Sequence, residues 1–345
     1  MKPIFNFQWH ITDECDQRCK HCYIFAENNS KPIDRMDFDS MLKTISNCED
    51  FCREFDRQPY FFITGGDPIL HEDFWKLAEA LHSKNYSFTI LGNPFHLDKN
   101  VCRRLKNLGC ERYQLSIDGL EKLHDFFRKP GSFKTTLEKI PVLQSAGIRV
   151  AIMTTVSKLN AKDLLKIIDV VVESGADVFS FARYCPTSED KSTGILPRDY
   201  RKLLAAVDEK FREYESKNVR TYFDRKDHLW TLFEYEAGRF KIPNDAEADM
   251  IYSGCNCGNS HLTILPTGDV LACRRVKNSR VGNVFENRLV DLWLNDMEKF
   301  REYDRFEKCS KCELLSYCRG CPAVASSSNG SFYSPDPQCW KEFEK

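Results

Sequence analysis

The first half of the chain alternates short apolar runs, rich in β-branched and aromatic residues, with longer amphipathic segments. Six runs have the length and composition of buried strands, at residues 5–12, 60–64, 87–91, 113–118, 149–156 and 178–183. The segments between them predict helices at residues 38–55, 72–84, 99–108, 133–146 and 161–174. Gly109, Gly147 and Gly175 follow three of these segments, where a helix commonly ends. Six strand–helix alternations predict a parallel sheet covered by helices, and both an open doubly wound sheet and a barrel fit that pattern.

Polar and small residues cluster where the predicted strands end. These ends carry a cysteine loop, Gly65-Gly66-Asp67, Gly92-Asn93-Pro94, Ser116-Ile117-Asp118 and Arg183-Tyr184-Cys185-Pro186. Each motif alone is also compatible with an ordinary turn. Because (β/α) barrels build their active sites from these edge loops, the shared position of the motifs favours a barrel with a site at that face.

The remaining sequence divides into a charged helical segment and a cysteine-rich tail. Residues 200–216 and 225–236 predict helices that carry no recognisable chemistry, and we interpret this part as a bridge. Residues 262–272 predict a β-hairpin that turns at Thr267-Gly268-Asp269. We therefore expect a barrel domain over residues 1–190, a helical bridge over 191–250 and a small cysteine-rich domain over 251–345.

The composition is that of an ordinary globular protein without a dominant charge. The 345 residues are 42% hydrophobic and 29% charged, and 50 basic and 51 acidic residues give a formal net charge of −1. With no basic excess to neutralise phosphates, we expect no nucleic-acid partner. No run is long and apolar enough to span a membrane, and the first residues lack a signal-peptide core. We therefore expect a cytoplasmic protein without a membrane partner.

The chain has 16 cysteines, far more than a cytoplasmic protein needs, and disulfides are disfavoured in that compartment. Three lie in the opening loop and eight lie between Cys255 and Cys339. These groups predict metal or redox chemistry. The other five are scattered, and we expect them to be buried as small apolar side chains: Cys48, Cys52, Cys102, Cys110 and Cys185.

The opening loop carries three thiols in the spacing C-x3-C-x2-C, at Cys15, Cys19 and Cys22. Three cysteines on so short a tether can bind one face of a [4Fe–4S] cluster, which needs four ligands, and leave one iron open for a substrate or cofactor. The alternative is a zinc site completed by His21, because zinc accepts three cysteines with one histidine. His21 lies directly beside Cys22, where it cannot easily turn onto the same metal, so the open cluster is favoured.

The tail contains a first set of three cysteines, a second set in the spacing C-x2-C-x5-C-x2-C, and one final cysteine. In chain order the eight are Cys255, Cys257, Cys273, Cys309, Cys312, Cys318, Cys321 and Cys339. Paired C-x2-C motifs also occur in zinc knuckles, and spacing alone barely separates two zinc ions from two iron–sulfur clusters. The open cluster loop upstream favours clusters.

Taken together, these residues resemble the radical S-adenosylmethionine (SAM) enzymes that carry a C-terminal SPASM domain. The matching motifs are the opening cysteine loop, the Gly-Gly-acid turn at residues 65–67 and the eight-cysteine tail, and they cover residues 4–184 and 255–339. The family pattern has three residues between the last two cysteines of its second set, whereas two separate Cys318 from Cys321. The resemblance implies an α/β fold, a partial (β/α)6 TIM barrel followed by a small SPASM domain with a β-hairpin and two auxiliary iron–sulfur clusters.

The resemblance also implies the cofactors and their ligands. Cys15, Cys19 and Cys22 would hold the catalytic [4Fe–4S] cluster, with the amino and carboxylate groups of SAM on its open iron. One electron then cleaves SAM to methionine and a 5′-deoxyadenosyl radical, which abstracts hydrogen from the substrate. The implied SAM contacts are the backbone of His21 and the ring of Tyr23 at the adenine, Gly65, Gly66 and Asp67 at the amino group, Ser116 and Asp118 near the ribose or methionine, and Arg128 at the carboxylate.

The family pattern divides the tail between two auxiliary [4Fe–4S] clusters, which brings the total to three. Each would have four thiolates and no open iron, which favours electron transfer over substrate binding. The implied ligand sets are Cys255, Cys257, Cys273 and Cys321 for one cluster, and Cys309, Cys312, Cys318 and Cys339 for the other.

SPASM-type enzymes mostly modify ribosomally made peptides, so the resemblance implies a peptide maturase, and thioether crosslinking is the leading hypothesis. The chain resembles the short maturases linked to peptides with Ala-Cys-Gly-X repeats. The implied partners are a precursor peptide and an external electron donor such as flavodoxin or ferredoxin. Because the first strand begins by residue 5, we expect no N-terminal recognition domain, and the bridge, the barrel mouth or a separate recognition protein would capture the peptide.

Other functions stay open. A related enzyme could form carbon–carbon crosslinks, or act as an anaerobic sulfatase maturase that makes formylglycine. Sulfatase maturases carry an Asp directly after the cysteine equivalent to Cys273, where this chain has Arg274 and then Arg275. These arginines suit an acidic substrate, although a solvated surface pair explains them as well. From a different class comes a non-catalytic zinc-binding module on an α/β scaffold.

Overall fold

A computed structural model describes residues 2–25, 30–186, 194–247, 250–276 and 278–342. The strands of these residues are β1 Ile4–Thr12, β2 Gln58–Gly65, β3 Phe88–Leu91, β4 Cys110–Ser116, β5 Arg149–Val156, β6 Val178–Arg183, β7 Tyr222–Asp224, β8 His261–Ile264, β9 Asp269–Leu271 and β10 Arg280–Asn283. The α-helices are α1 Phe38–Glu54, α2 Phe74–Ser83, α3 Lys99–Asn107, α4 Glu121–Phe127, α5 Ser132–Ser145, α6 Leu164–Glu173, α7 Pro197–Ser216, α8 Leu229–Glu236, α9 Leu289–Asp291 and α10 Pro322–Asn329. Among the described residues, no helix is long and apolar enough to cross a membrane.

All of these strands form one sheet in the order β10-β9-β8-β1-β2-β3-β4-β5-β6-β7. The strands β1 to β7 run parallel, so their C-terminal ends meet at one edge. β8 pairs in parallel with β1 and then turns back antiparallel into β9. The predicted partial barrel and C-terminal hairpin are thus confirmed, and the hairpin extends the barrel sheet. The predicted domain boundaries stay a prediction.

Residues along β1 alternate between a face covered by helices and the barrel interior. Phe5 and Trp9 are buried in the core, where Phe5 lies 4.6 Å from the ring of Phe51 on α1. Each fully buried aromatic side chain contributes about 1.5–3 kcal/mol of hydrophobic stabilisation. Gln8 and His10 point to the opposite face, because successive side chains of a strand alternate. The apolar half of the pattern holds the helices, and the polar half is left to line the interior.

The predicted strands and helices agree with the structure except at a few ends. Gly109, Gly147 and Gly175 do end helices, with φ of +97°, +81° and +70°. β4 ends at residue 116 instead of 118, because the backbone N–H of Asp118 donates to Nδ1 of His124 at 3.2 Å and leaves the ladder. That histidine belongs to α4, which the sequence pattern did not predict, and β7 adds a seventh parallel strand inside the predicted bridge.

A buried ion cluster fastens the end of β6 to both later parts of the chain. Nε of Arg183 donates to Asp227 Oδ2 at 2.8 Å, while Nη1 and Nη2 donate to the two carboxylate oxygens of Asp336 at 2.6 and 2.8 Å. All three side chains are almost inaccessible to solvent. Each charge therefore depends on its partners, and the cluster ties the barrel edge to the bridge and to the tail.

Candidate active site and thiol clusters

The three opening thiols lie on the loop after β1, at the C-terminal edge of the sheet. All three are half-buried. Nδ2 of Asn93, from the loop after β3, donates to Cys15 Sγ at 3.2 Å, and Nη1 of Arg128 lies 3.9 Å from Cys19 Sγ. Burial raises the pKa of Cys15 to about 12, so its thiol is protonated until a metal displaces the proton. The loop therefore presents its sulfurs toward groups from two other strand ends.

The Gly-Gly-Asp turn after β2 packs directly on the start of this cysteine loop. The backbone N–H of Gly66 donates to Thr12 O at 2.8 Å, and that of Asp67 donates to Glu14 O at 2.7 Å. A Cβ on Gly66 would lie 2.0 Å from the backbone oxygen of Glu14, so no side chain fits there. Gly65 also has a φ of +142°, which favours glycine. Both glycines are required for the turn to brace the cysteine loop.

Asp67 holds a buried carboxyl group whose two oxygens have no hydrogen-bond partner among the described residues. Burial raises its pKa to about 7, and the nearby Asp16 carboxylate adds to the rise. The backbone N–H groups of Ile69 and Asn93 lie near it and oppose part of this rise. Buried polar groups normally have hydrogen-bond partners. The unpaired carboxyl group at this edge can therefore bind a ligand that supplies hydrogen-bond donors or positive charge.

A charged trio connects the ends of the cysteine loop, β4 and α4. Asp118 Oδ2 accepts from Nε of Arg128 at 2.6 Å and lies 3.3 Å from Nε2 of His21. Burial alone would raise the pKa of Asp118, but Arg128 and His21 outweigh it and hold that pKa well below its usual range. The carboxylate stays ionised and fixes the guanidinium beside the thiol of Cys19.

Two residues that the sequence did not single out hold Asp118 in place. Asn160 Nδ2 donates to the backbone oxygens of Asp118 and Thr155, at 2.8 Å each. Nδ1 of His124 accepts from the backbone N–H of Asp118, and its Nε2 lies 3.1 Å from Ser132 Oγ. His124 could have been found from the sequence, because it precedes Arg128 by one helical turn. Asn160 gave none.

A cavity of about 170 Å³ opens beside this trio. It is lined by Lys20, His21, Phe126, Phe127, Thr155, Ser157, Leu159 and Tyr184. Of the predicted SAM contacts, the structure therefore brings together His21, Asp118 and Arg128, while Asp67 lies against the start of the cysteine loop.

The other two predicted SAM contacts, Ser116 and Tyr23, lie outside the group of His21, Asp118 and Arg128. Ser116 is the last residue of β4, paired with Met153 of β5. Tyr23 is 42% exposed, with its ring edge-on to His10 at 6.1 Å and below the guanidinium of Arg274 at 5.1 Å. Tyr23 is not among the described residues that line the cavity beside His21.

The four thiols of the second predicted tail set converge. Cys309, Cys312, Cys318 and Cys339 all line one cavity of about 20 Å³. Asp336 lies at the same cavity. Four thiols around one small space match what a closed [4Fe–4S] cluster needs.

The first tail set also converges, and it has an additional neighbour. The thiols of Cys255 and Cys257 lie within hydrogen-bonding reach of each other, and Cys273 and Cys321 pack in a common cluster. Cys48, Cys52, Cys102 and Cys110 are buried, as expected for scattered cysteines. Cys185 is not: it is half-buried and packs in the cluster of Cys273 and Cys321.

Comparison with known families identifies both halves of the chain. Residues 9–171 match the Radical SAM superfamily, and residues 255–322 match SPASM, an iron–sulfur cluster-binding domain. Curated relatives include an AdoMet-dependent heme synthase of Methanosarcina barkeri, 26% identical over 340 residues that cover 96% of this chain and 95% of the relative. Another is the mycofactocin maturase MftC of Mycobacterium tuberculosis, 25% identical over 345 residues that cover 96% of this chain and 81% of the relative.

Solved structures share the fold over nearly the whole chain. Streptococcus suis SuiB bound to precursor peptide SuiA superposes with a TM-score of 0.76 at 21% identity, covering 99% of this chain and 77% of SuiB. Native anSMEcpe with bound AdoMet also gives 0.76, at 18% identity, covering 98% of this chain and 94% of anSMEcpe. At these identities the likeness shows the fold alone.

The chain is a radical SAM enzyme with a C-terminal SPASM domain. Its first domain binds SAM and a [4Fe–4S] cluster, and its second binds auxiliary iron–sulfur clusters. The residues present fit these groups, because three half-buried thiols share one loop, an unpaired buried carboxyl lies beside them, and the tail thiols converge in two groups. As a radical SAM enzyme, the chain is not the non-catalytic zinc-binding module that the sequence left open.

Proposed function

We propose that this enzyme modifies a ribosomally made precursor peptide by forming thioether crosslinks between a sulfur and a carbon. The observation that carries the proposal is the combination of an open three-thiol site with two further convergent thiol groups in one fold. The complex of SuiB with precursor peptide SuiA, and that of anSMEcpe with the Kp18Cys peptide, support a peptide as the substrate.

The opening loop and its neighbours bind and orient the cofactor. Cys15, Cys19 and Cys22 are the ligands of the catalytic cluster. When bound, the cluster and SAM supply a 5′-deoxyadenosyl radical that abstracts hydrogen from the peptide. The carboxyl group of Asp67 takes the amino group of SAM, because the N–H groups supply the hydrogen-bond partners that its buried oxygens lack. Gly65 and Gly66 let that turn approach the cysteine loop.

Arg128 takes the carboxylate of SAM with the part of its guanidinium that faces Cys19. Its Nε is engaged by Asp118, so Asp118 positions the arginine and keeps it from rotating away. The rings of Phe126 and Phe127 give the cavity an apolar wall, and His21 would border the adenine there. Ser116 and Asp118 would face the ribose or methionine, as the family pattern implies. The ring of Tyr23 contacts His10 and Arg274 instead, and Tyr23 is not among the described residues that line the cavity beside His21.

The clusters of the tail would accept the electron that the reaction leaves over. Joining a thiol to a carbon removes two hydrogens from the peptide: one leaves as the abstracted hydrogen atom, and the other as a proton and an electron. The leftover electron needs an acceptor, and closed clusters with four thiolates suit that role. An external donor such as flavodoxin or ferredoxin supplies the electron that starts each cycle, and a separate recognition protein can deliver the peptide.

A second candidate is a substrate with several carboxylates, such as an iron porphyrin. Two observations favour it: the resemblance to an AdoMet-dependent heme synthase, and the positively charged residues near Tyr23. Nε of Arg274 is buried there without a hydrogen-bond partner among the described residues. Burial, together with the positive charges of Lys226 and Arg275 nearby, lowers the pKa of His261 to about 4. Such a cationic lining suits carboxylates.

The test is co-expression with any short cysteine-rich peptide that the neighbouring genes encode, followed by mass spectrometry of that peptide. Thioether formation predicts the loss of two hydrogens per crosslink and the loss of one alkylatable thiol each. Matched incubations of the reconstituted enzyme with iron porphyrin carboxylic acids should leave the porphyrin unchanged. An unmodified peptide together with a converted porphyrin would establish the second candidate instead.

A further inference from the structure

Cys185 lies beside the thiols of the first tail set, although none of the cysteine motifs includes it. It follows β6 by two residues and is the neighbour of Tyr184, which lines the cavity beside His21. Cys185 packs with Cys273 and Cys321, and its thiol lies within hydrogen-bonding reach of Cys321. The end of a barrel strand therefore places a thiol inside a group otherwise built from the tail.

The position of Cys185 is fixed by the same carboxylate that fixes Cys321. Asp336 accepts two hydrogen bonds from the guanidinium of Arg183, two residues before Cys185, at 2.6 and 2.8 Å. The Oδ2 of Asp336 also accepts from the backbone N–H of Cys321 at 2.7 Å. Asp336 thus binds both Arg183, two residues before Cys185, and the backbone of Cys321. This shared buried acceptor holds the two cysteines close together where the barrel meets the tail.

Arg275 adds a positive charge to this group. Its Nη1 donates to Cys185 Sγ at 3.3 Å. Its guanidinium also lies close enough to interact electrostatically with Cys321, Cys273 and Cys255. A cation beside these sulfurs offsets the negative charge that develops when thiolates gather around a metal.

Five thiols are then available at a site that needs four. Cys257 is buried in the large hydrophobic core, with its thiol within hydrogen-bonding reach of Cys255. Only Asn256 separates Cys257 from Cys255, and two ligands on so short a tether are difficult to aim at different irons of one cluster.

We propose that Cys185 is a ligand of the first auxiliary cluster, together with Cys255, Cys273 and Cys321, and that Cys257 is the spare thiol. The proposal rests on the cluster-bearing function proposed above and revises one of its ligands. It links the auxiliary cluster covalently to the end of β6, one residue from the wall of the cavity beside His21.

The test compares Cys185→Ala with Cys257→Ala in the full chain, reconstituted with iron and sulfide without oxygen. Iron content is measured together with the electron paramagnetic resonance (EPR) spectrum of the reduced protein. Adding SAM shifts only the signal of the cluster at the opening loop, which separates it from the auxiliary signals. Cys102→Ala, at a buried thiol outside all three groups, is the matched control for loss of a cysteine, and circular dichroism checks the fold of every variant.

The unchanged chain should hold about 12 iron atoms, as should Cys257→Ala and the control, whereas Cys185→Ala should hold about eight. Retained iron with a shifted auxiliary signal in Cys185→Ala would show that another thiol has replaced the ligand, and supports the proposal too. Full iron with an unchanged spectrum in Cys185→Ala, or loss of about four iron atoms in a folded Cys257→Ala, overturns it. If the unchanged chain binds only about four iron atoms, the auxiliary clusters of the proposed function fail as well.

Discussion

The unpaired carboxyl group of Asp67 makes the most specific prediction about cofactor binding. Replacing it in Asp67→Asn keeps the size of the side chain and removes the negative charge that would accept hydrogen bonds from the amino group of SAM. The site is buried, and its oxygens have no partner among the described residues. A buried hydrogen bond from that amino group to the carboxylate should therefore form only when SAM binds.

Hydrogen bonds to a charged group contribute about 1.5–3 kcal/mol, so the Kd for SAM should rise about 10- to 150-fold in Asp67→Asn. The pH dependence follows from the pKa of about 7. Below that pH the SAM-free enzyme carries a proton on Asp67, and this proton must leave before the carboxylate can accept hydrogen bonds from the amino group of SAM. Affinity should therefore fall about tenfold per pH unit below pH 7 and level off above it.

The assay is equilibrium binding of SAM to the reconstituted enzyme without oxygen, from about pH 6 to about pH 8, where Asp67 passes from mostly protonated to mostly ionised. Glu138→Gln removes one exposed carboxylate from α5, far from the site, and controls for the change in net charge. Asp67→Asn should lose the pH dependence together with the affinity. A variant that binds SAM as tightly as the unchanged enzyme, or an unchanged enzyme whose Kd does not vary with pH, would refute the reasoning.

Three further predictions concern the supports of the site. Gly66→Ala should destabilise the protein by about 3 kcal/mol in urea unfolding, because the new methyl group meets a backbone oxygen at 2.0 Å; unchanged stability would contradict this. Arg183→Met should cost about 3–5 kcal/mol in the same assay by stranding two buried carboxylates, and adding Asp336→Asn should recover part of the loss. Asp118→Asn should raise the KM for SAM about tenfold at constant iron content, because Arg128 loses its charged partner; loss of iron would instead mean a role in cluster binding.

Local patterns in the sequence were sufficient for most of the fold. The bounds of β5 and β6 agree with the predicted runs to the residue, since both strands are apolar along most of their length. The spacings of the cysteines were likewise sufficient to predict the iron–sulfur clusters, because ligands that lie a few residues apart in the chain are recognisable from local sequence.

The features that sequence reasoning missed depend on contacts between distant residues. Arg183 meets Asp336 across 153 positions, and neither residue type nor spacing announces a buried ion pair. Cys185 was assigned to the scattered cysteines because its partners in space lie about 90 positions or more away in the chain. Asn160 could not be predicted from a sequence pattern, because its side chain donates a hydrogen bond to the backbone of Asp118, 42 positions away.

The central claim is that the enzyme takes a hydrogen atom from a peptide, and isotope transfer tests it most directly. Reconstituted enzyme is incubated without oxygen with SAM, a reductant and a precursor peptide whose carbon-bound hydrogens are replaced by deuterium. The account predicts 5′-deoxyadenosine that carries one deuterium, and no 5′-deoxyadenosine when Cys15, Cys19 and Cys22 are replaced by alanine. Abundant 5′-deoxyadenosine without deuterium, alongside an unmodified peptide, would contradict it.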